Sequence, residues 1–274
     1  MQLTRIVIGV DLTTVSIQAA TWVARSFAPD AEIVLLHCLD PVLDRQRLAQ
    51  SRESSALILR EIERDVGRRR SSHRVRVGDP ARCLADLAAE LDADLIAVGA
   101  HEQHPERLPA LGSTAERLVR CSPVPVLLCS PTPNGAPRSV LLPLDSVDVD
   151  TELAEWTGGL AERFDARLAL LHVEDKHREG RLMANAVRLG TGKTPWSRVA
   201  RELPAHRVFV DAVLGDRADA VLAESRRFGT ELVLLQAPDD STVSDSSIDR
   251  VLRRSECAVL VVPSTDTTRS TATR

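Results

Sequence analysis

Gly99 and the run Gly112-Ser113-Thr114 are the residues of this chain whose types and spacing suit the binding of a phosphate. Gly99 closes Leu95 to Val98, an apolar run with no polar face, which reads as a strand covered on both sides. Glu116, three residues after Ser113, predicts a capping box and a helix that starts near Ser113, ahead of Leu118 and Val119. A loop that leaves the C-terminal end of a parallel strand and enters a helix offers N–H groups and the positive end of the helix dipole to an anion. Asp11 is the second candidate, at the end of the apolar stretch RIVIGVD. It sits beside that loop if both strands are central, or it caps a helix at Thr13. Of the imidazoles, His37 has an equivalent at His172 and reads as a packing residue, while His101 and His104 flank Glu102 in the loop, within reach of a phosphate.

The elements that must position these residues alternate. Arg5 to Asp11 is a strand, and Thr13 or Thr14 caps a helix carrying Ala19, Trp22, Val23 and Phe27. Glu32 to His37 is a second strand, followed by a long helical segment from Asp44 to Arg70 with Leu48, Leu57, Ile58 and Ile62 as its apolar stripe. Arg74 to Val77 is a third strand, and Gly78-Asp79-Pro80 turns into a helix with Cys83, Leu84, Leu87, Ala88 and Leu91 inward. This β-α-β-α order without hairpin signals predicts a parallel, doubly wound α/β sheet.

After Ser130 to Pro137, a linker by its prolines and glycine, the pattern starts again. Arg138 to Asp145 answers Arg5 to Asp11, and Leu171-His172-Val173 answers Leu36-His37-Cys38. Leu214-Gly215-Asp216 answers Val77-Gly78-Asp79, Glu231 to Leu235 answers Asp94 to Val98, and the closing helix and strand recur. Offsets of 133 to 137 residues throughout mark two tandem copies of one domain. The expected boundaries are residues 1–131, a linker 132–137, a second domain 138–264 and a disordered Ser/Thr-rich tail 265–274. In the second copy Gln236 replaces Gly99, Asp239 stands near the place of Glu102, and Asp245 replaces Gly112, so acidic residues including Asp240 would repel a polyphosphate.

Composition excludes several classes. Lys plus Arg number 35 against 39 Asp plus Glu, a net charge of −4 that gives no general attraction to nucleic acid or to an anionic membrane. With no Tyr, four Phe and three Trp, a base-stacking platform is out of reach. No run approaches a membrane span and the N-terminus has no signal-peptide form, so the cytoplasm is expected. Five cysteines without C-x-x-C spacing imply neither a disulfide framework nor a zinc site. Gly190-Thr191-Gly192-Lys193-Thr194 lacks the first Walker A glycine, having Val187 there, and follows no strand. No arrangement of catalytic groups is evident.

The loop resembles the nucleotide loop of the universal stress protein family: glycine, two residues, glycine, nine residues, glycine, then Ser or Thr. Here the pattern falls on Gly99, Glu102, Gly112 and Ser113, three matches in four, with Glu102 in place of a glycine. The resemblance covers nearly the whole chain and implies two tandem Rossmann-like or flavodoxin-like domains, each with a five-stranded parallel sheet. It implies a stress-responsive regulator whose first domain binds ATP or another adenine nucleotide, with Mg²⁺ as a companion ion. Asp11 and Leu39 would take the base and ribose, while Gly99, His101, Gly112, Ser113 and Thr114 would take the phosphates. Two alternatives stand beside it: a nucleotide-free module that binds a protein partner, and slow ATP hydrolysis with Glu102 holding Mg²⁺ or a water. The last strands, Val124 to Cys129 and Cys257 to Val262, lie at sheet edges in this family. Val126-Leu127-Leu128 is therefore expected to meet Val259-Leu260-Val261 within one molecule, an internal pseudo-dimer, with any homodimer using other surfaces.

Overall fold

Ile6, Val7 and Ile8 are fully buried in the first strand, β1 (Arg5–Gly9), because β-branched side chains on both faces of the pleat have helices to pack against. This computed structural model describes residues 2–66, 70–100, 111–129, 134–144, 151–174, 207–237 and 246–263. The segments holding His101, Glu102, His104, Asp145, Gly190 to Thr194, Asp239, Asp240, Asp245 and the tail lie outside the described residues. The chain divides between Gly135 and Ala136 into two units.

In the first unit β1 leads into α1 (Thr14–Trp22), capped by Thr13. A π-helical turn over Val23–Phe27 extends α1, closed by Ala28 N–H donating to the Val23 carbonyl at 2.8 Å. The extra residue in that turn lets Trp22, Val23, Ala24 and Phe27 all be buried, with the Trp22 and Phe27 rings 5.5 Å apart. Trp22 Nε1 donates to the Gly135 carbonyl at 2.8 Å, which ties the last residue of the unit to its first helix. The remaining elements are β2 (Glu32–Leu39), α2 (Arg45–Val66), β3 (Ser71–Val77), α3 (Pro80–Glu90), β4 (Leu95–Gly99), α4 (Ser113–Cys121) and β5 (Val126–Cys129). The strands are ordered β3-β2-β1-β4-β5, and every adjacent pair is parallel.

One expectation about α2 is corrected. Its buried stripe is Ser55, Leu59, Ile62 and Val66, while Leu57 is 57% and Ile58 40% exposed. Three consecutive apolar residues, Leu57, Ile58 and Leu59, leave the helical phase open in sequence; in the helix Leu59 lies within the stripe of Ser55, Ile62 and Val66, Ile58 at its margin and Leu57 on the far side. At the outer edge of the sheet, β3 bonds β2 through Arg70 and Gly78, so the backbone of residues 71, 73, 75 and 77 turns outward. Arginines cover part of that edge: Arg74 Nη1 donates to the His73 carbonyl at 2.9 Å, and Arg52 Nη2 to the Val75 carbonyl at 3.3 Å.

The second unit repeats the plan with β6 (Ser139–Leu144), α5 (Thr151–Arg163), β7 (Arg167–Glu174), β8 (Val208–Leu214), α6 (Arg217–Phe228), β9 (Leu232–Gln236), α7 (Ser246–Arg254) and β10 (Ala258–Val262). Its order is β8-β7-β6-β9-β10, again all parallel. The correspondence holds at single residues. Gly78, with φ 138°, and Gly215, with φ 156°, both take a backbone form that side chains resist, each just ahead of an aspartate N-cap. Arg117 pairs with the α3 N-cap Asp79 as Arg250 pairs with the α6 N-cap Asp216. Since these pairs recur in both copies, they belong to the scaffold.

Candidate functional site

The strand order reverses direction between β1 and β4, and the crevice beyond their C-terminal ends is where open α/β sheets hold ligands. Ile8 pairs with Ala97, so Val10 and Gly99 stand level two residues further on, with Asp11 just past them. On the other side of β1, Gly9 pairs with Leu36 and Val10 N–H donates to the Leu36 carbonyl at 2.9 Å, which brings the end of β2 and Leu39 to the same rim. Gly112 N–H donates to the Ala100 carbonyl at 3.1 Å, so the N-cap of α4 is held beside the residue that follows β4. Asp11, Leu39, Gly99, Gly112, Ser113 and Thr114 thus all lie at one end of one sheet. His101 lies outside the described residues.

Asp11 has a local role as well. Its Oδ1 accepts from Thr13 N–H at 3.0 Å and from the Thr13 hydroxyl at 2.6 Å, while Thr13 Oγ1 accepts from Ser16 N–H at 3.3 Å. Asp11 thereby braces the N-cap instead of being it. Desolvation pushes its pKa up, but hydrogen bonds from Ser16 and Thr13 outweigh this and hold the carboxyl below the ordinary aspartate value. The group is ionised at neutral pH, as an acceptor for a ribose hydroxyl or a base amino group must be. Leu12, between Asp11 and Thr13, has φ 67°, a left-handed conformation that costs a non-glycine residue about 1 kcal/mol. The sequence reading missed this strained turn and the part Ser16 plays, although the Thr13–Ser16 spacing carries the signal for the cap.

The start of α4 differs from the expected capping box. Gly112 is the N-cap, with φ −62° and ψ 143°, and makes no side-chain cap bond, while Ser113 is the first helical residue. Glu116 is consequently one position too far along to close a box. Gly112 thus gives the first turn of α4 no side-chain cap.

The glycines of this end fall into two sorts. A Cβ on Gly9 would lie 2.9 Å from Leu84 Cδ1 and 3.0 Å from Val98 Cγ1, so those side chains would have to shift to admit it. A Cβ on Gly99 would meet Val15 Cγ1 at 3.7 Å, ordinary contact, and Gly112 has a φ open to any residue. Gly99 is therefore not required by the fold, while Gly112, which is buried, is not required by its backbone conformation. In the second unit the place of Gly99 is taken by Gln236: Gly99 pairs with Cys129 and Ala100 donates to it, as Gln236 pairs with Val262 and Ala237 donates to it. His37 Nδ1 lies 2.7 Å from the Val10 carbonyl, to which it donates, so its ring fastens β2 to β1. Among the described residues no group of three or more His, Cys, Asp or Glu side chains gathers to hold a metal ion. No helix among them is long and apolar enough to cross a membrane.

A family model, the universal stress protein family, matches residues 2–130 and again residues 137–263. The chain belongs to the universal stress protein family. Solved structures of similar length share the fold. A universal stress protein from Archaeoglobus fulgidus DSM 4304 matches with TM-score 0.74 and 17% identity, over 96% of this chain and 99% of that one. A functionally unknown protein from Pseudomonas aeruginosa PAO1 matches with TM-score 0.66 and 14% identity, over 96% and 94%. At these identities the likeness shows the fold. A universal stress protein solved in complex with cAMP covers 47% of this chain and 97% of its own, at 26% identity and TM-score 0.37. No curated protein sequence matches the chain.

Proposed function

We propose that the first domain binds ATP or a related adenine nucleotide at the C-terminal end of its sheet, and that the chain is a cytoplasmic, stress-responsive regulator acting through the bound and free states. The carrying observation is the pair of glycines at the β1–β4 switch point: Gly99, which neither backbone conformation nor packing requires, and Gly112, the N-cap of α4, whose φ and ψ any residue could adopt. Bare backbone there lets a phosphate approach the positive N-terminal end of α4, where Ser113 and Thr114 stand. Asp11 and Leu39 would take the ribose and base, and His101 would join the phosphates. Mg²⁺, if it accompanies the nucleotide, would be held largely by the phosphates themselves. The second domain, with Gln236 in the place of Gly99, is read as nucleotide-free.

A rival function, a nucleotide-free module that binds a protein partner, is favoured by two glutamates: Glu102 in the loop sequence and Glu116 in the first turn of α4, both adverse to a polyphosphate. Mass spectrometry of small molecules released from the denatured, purified chain, with titration calorimetry of ATP, separates the two. Up to one adenine nucleotide per chain is expected. Binding absent with and without Mg²⁺ would leave the interaction module as the better reading.

The assembly proposal follows from the ends of the two sheets. β5 and β10 are apolar strands, each last in its unit's order, and we propose that they face each other within the chain as an internal pseudo-dimer. Residues 1–131 expressed alone should then dimerise or aggregate through the freed edge. A fragment that stays monomeric at high concentration by light scattering counts against the proposal.

A further inference from the structure

Cys38 and Cys83 are 45 residues apart in sequence, and neither takes part in the proposed nucleotide site. The fold brings them together. Cys38 pairs with Arg76 across β2 and β3, and Arg76 and Gly78 share one face of β3. On that face sits Cys83, from the first turns of α3: a Cβ on Gly78 would lie 3.5 Å from the Cys83 sulfur. The Cys83 thiol lies against that of Cys38. Both residues are half-buried, open enough to meet a small oxidant, whereas Cys129 and Cys257 are buried. Burial first, and then the neighbouring Cys83, push the Cys38 thiol up to about 12, so at neutral pH it keeps its proton.

We propose that Cys38 and Cys83 form a dithiol–disulfide couple, a two-electron redox site oxidised by a peroxide or by exchange with a small disulfide. Cys83, in the first turns of α3, is taken as the attacking thiol and Cys38, on the strand beneath it, as the resolving one. The Cys83 thiolate attacks one peroxide oxygen, the O–O bond breaks, and Cys83 becomes a sulfenic acid as one water leaves. The Cys38 sulfur then attacks the Cys83 sulfur, the S–O bond breaks, and the hydroxyl departs with the Cys38 proton as a second water. Two thiols have lost two electrons and two protons, and hydrogen peroxide has become two waters. With glutathione disulfide the same pair releases two glutathione thiols. The new bond ties the C-terminal end of β2 to the start of α3, next to the Gly78 N–H that donates to the Leu39 carbonyl at 3.0 Å. Closing a loop of this length restricts the unfolded chain, so the oxidised protein should melt several degrees higher.

The test uses the full chain, equilibrated with graded ratios of oxidised to reduced glutathione, quenched in acid, alkylated and digested. A peptide joining Cys38 to Cys83 should be the dominant disulfide, reversed by dithiothreitol, with the melting shift absent from Cys38→Ser and from Cys83→Ala. Cys83→Ala should keep the native circular dichroism spectrum, so loss of the shift there is not a folding defect. Glutathione adducts on Cys83 or Cys121 alone, a link between Cys83 and Cys121, or alkylation of both Cys38 and Cys83 at every ratio would each overturn the proposal.

Discussion

Gly112→Asp is expected to abolish nucleotide binding while leaving the first domain folded. The backbone at Gly112 suits any residue, and aspartate is a preferred N-cap, so the new carboxylate would take the first-turn N–H groups of α4 for itself. Those are the donors a phosphate would use. Its charge adds repulsion: two unit charges about 4 Å apart interact by up to about 4 kcal/mol at an effective dielectric of 20. Together these effects should weaken ATP by on the order of 100- to 1,000-fold, with a cooperative melting transition retained. The exchange imitates the second copy, whose sequence has Asp245 in the corresponding place. Calorimetry and melting on one preparation give both readouts. Binding that survives the change would move the phosphates away from α4 and undo the assignment of Ser113 and Thr114.

Trp22→Ala should be the most damaging single change in the first domain, at about 3–5 kcal/mol. Trp22 is 5% exposed, packs at a tilt against Phe27, and closes the helix that covers the middle of the sheet. Removing it leaves a cavity and also takes the donor from the Gly135 carbonyl. Trp22→Phe keeps most of the ring volume and loses only that bond, for which about 1 kcal/mol is expected. Urea unfolding of the full chain by far-UV circular dichroism distinguishes the two contributions. If the phenylalanine variant loses as much as the alanine variant, the hydrogen bond to Gly135 outweighs the packing and their order of importance is the reverse.

The strands were legible in the sequence because a sheet covered on both faces writes itself as unbroken apolar runs, as at Leu95 to Val98 and Val140 to Leu142. The repeat was legible for the same reason, and the paired registers of Gly99 with Cys129 and of Gln236 with Val262 carry it to single residues. Features set by three-dimensional placement escaped. The phase of α2 was ambiguous where three apolar residues are consecutive. A Ser-x-x-Glu pattern at Ser113 could not show that the helix starts one residue earlier, at an N-cap with no side chain. Nothing in the letter sequence Asp11-Leu12-Thr13 announces a left-handed leucine, since leucine has no preference for that conformation. The meeting of Cys38 and Cys83 depends on how α3 crosses the sheet, which spacing alone does not contain.

The arginines along the outer strand have one more effect. An unpaired strand edge can seed growth: another chain in extended form adds to it, and a third to the second, as happens in fibres. Growth from β3 would first have to strip two guanidinium groups from the His73 and Val75 carbonyls, exchanging bonds from a charged donor for bonds from a neutral one. It would also have to bring the newcomer against exposed Arg74. The outer edge of the first sheet is therefore end-stopped, and polymerisation through it is disfavoured however the rest of the molecule associates.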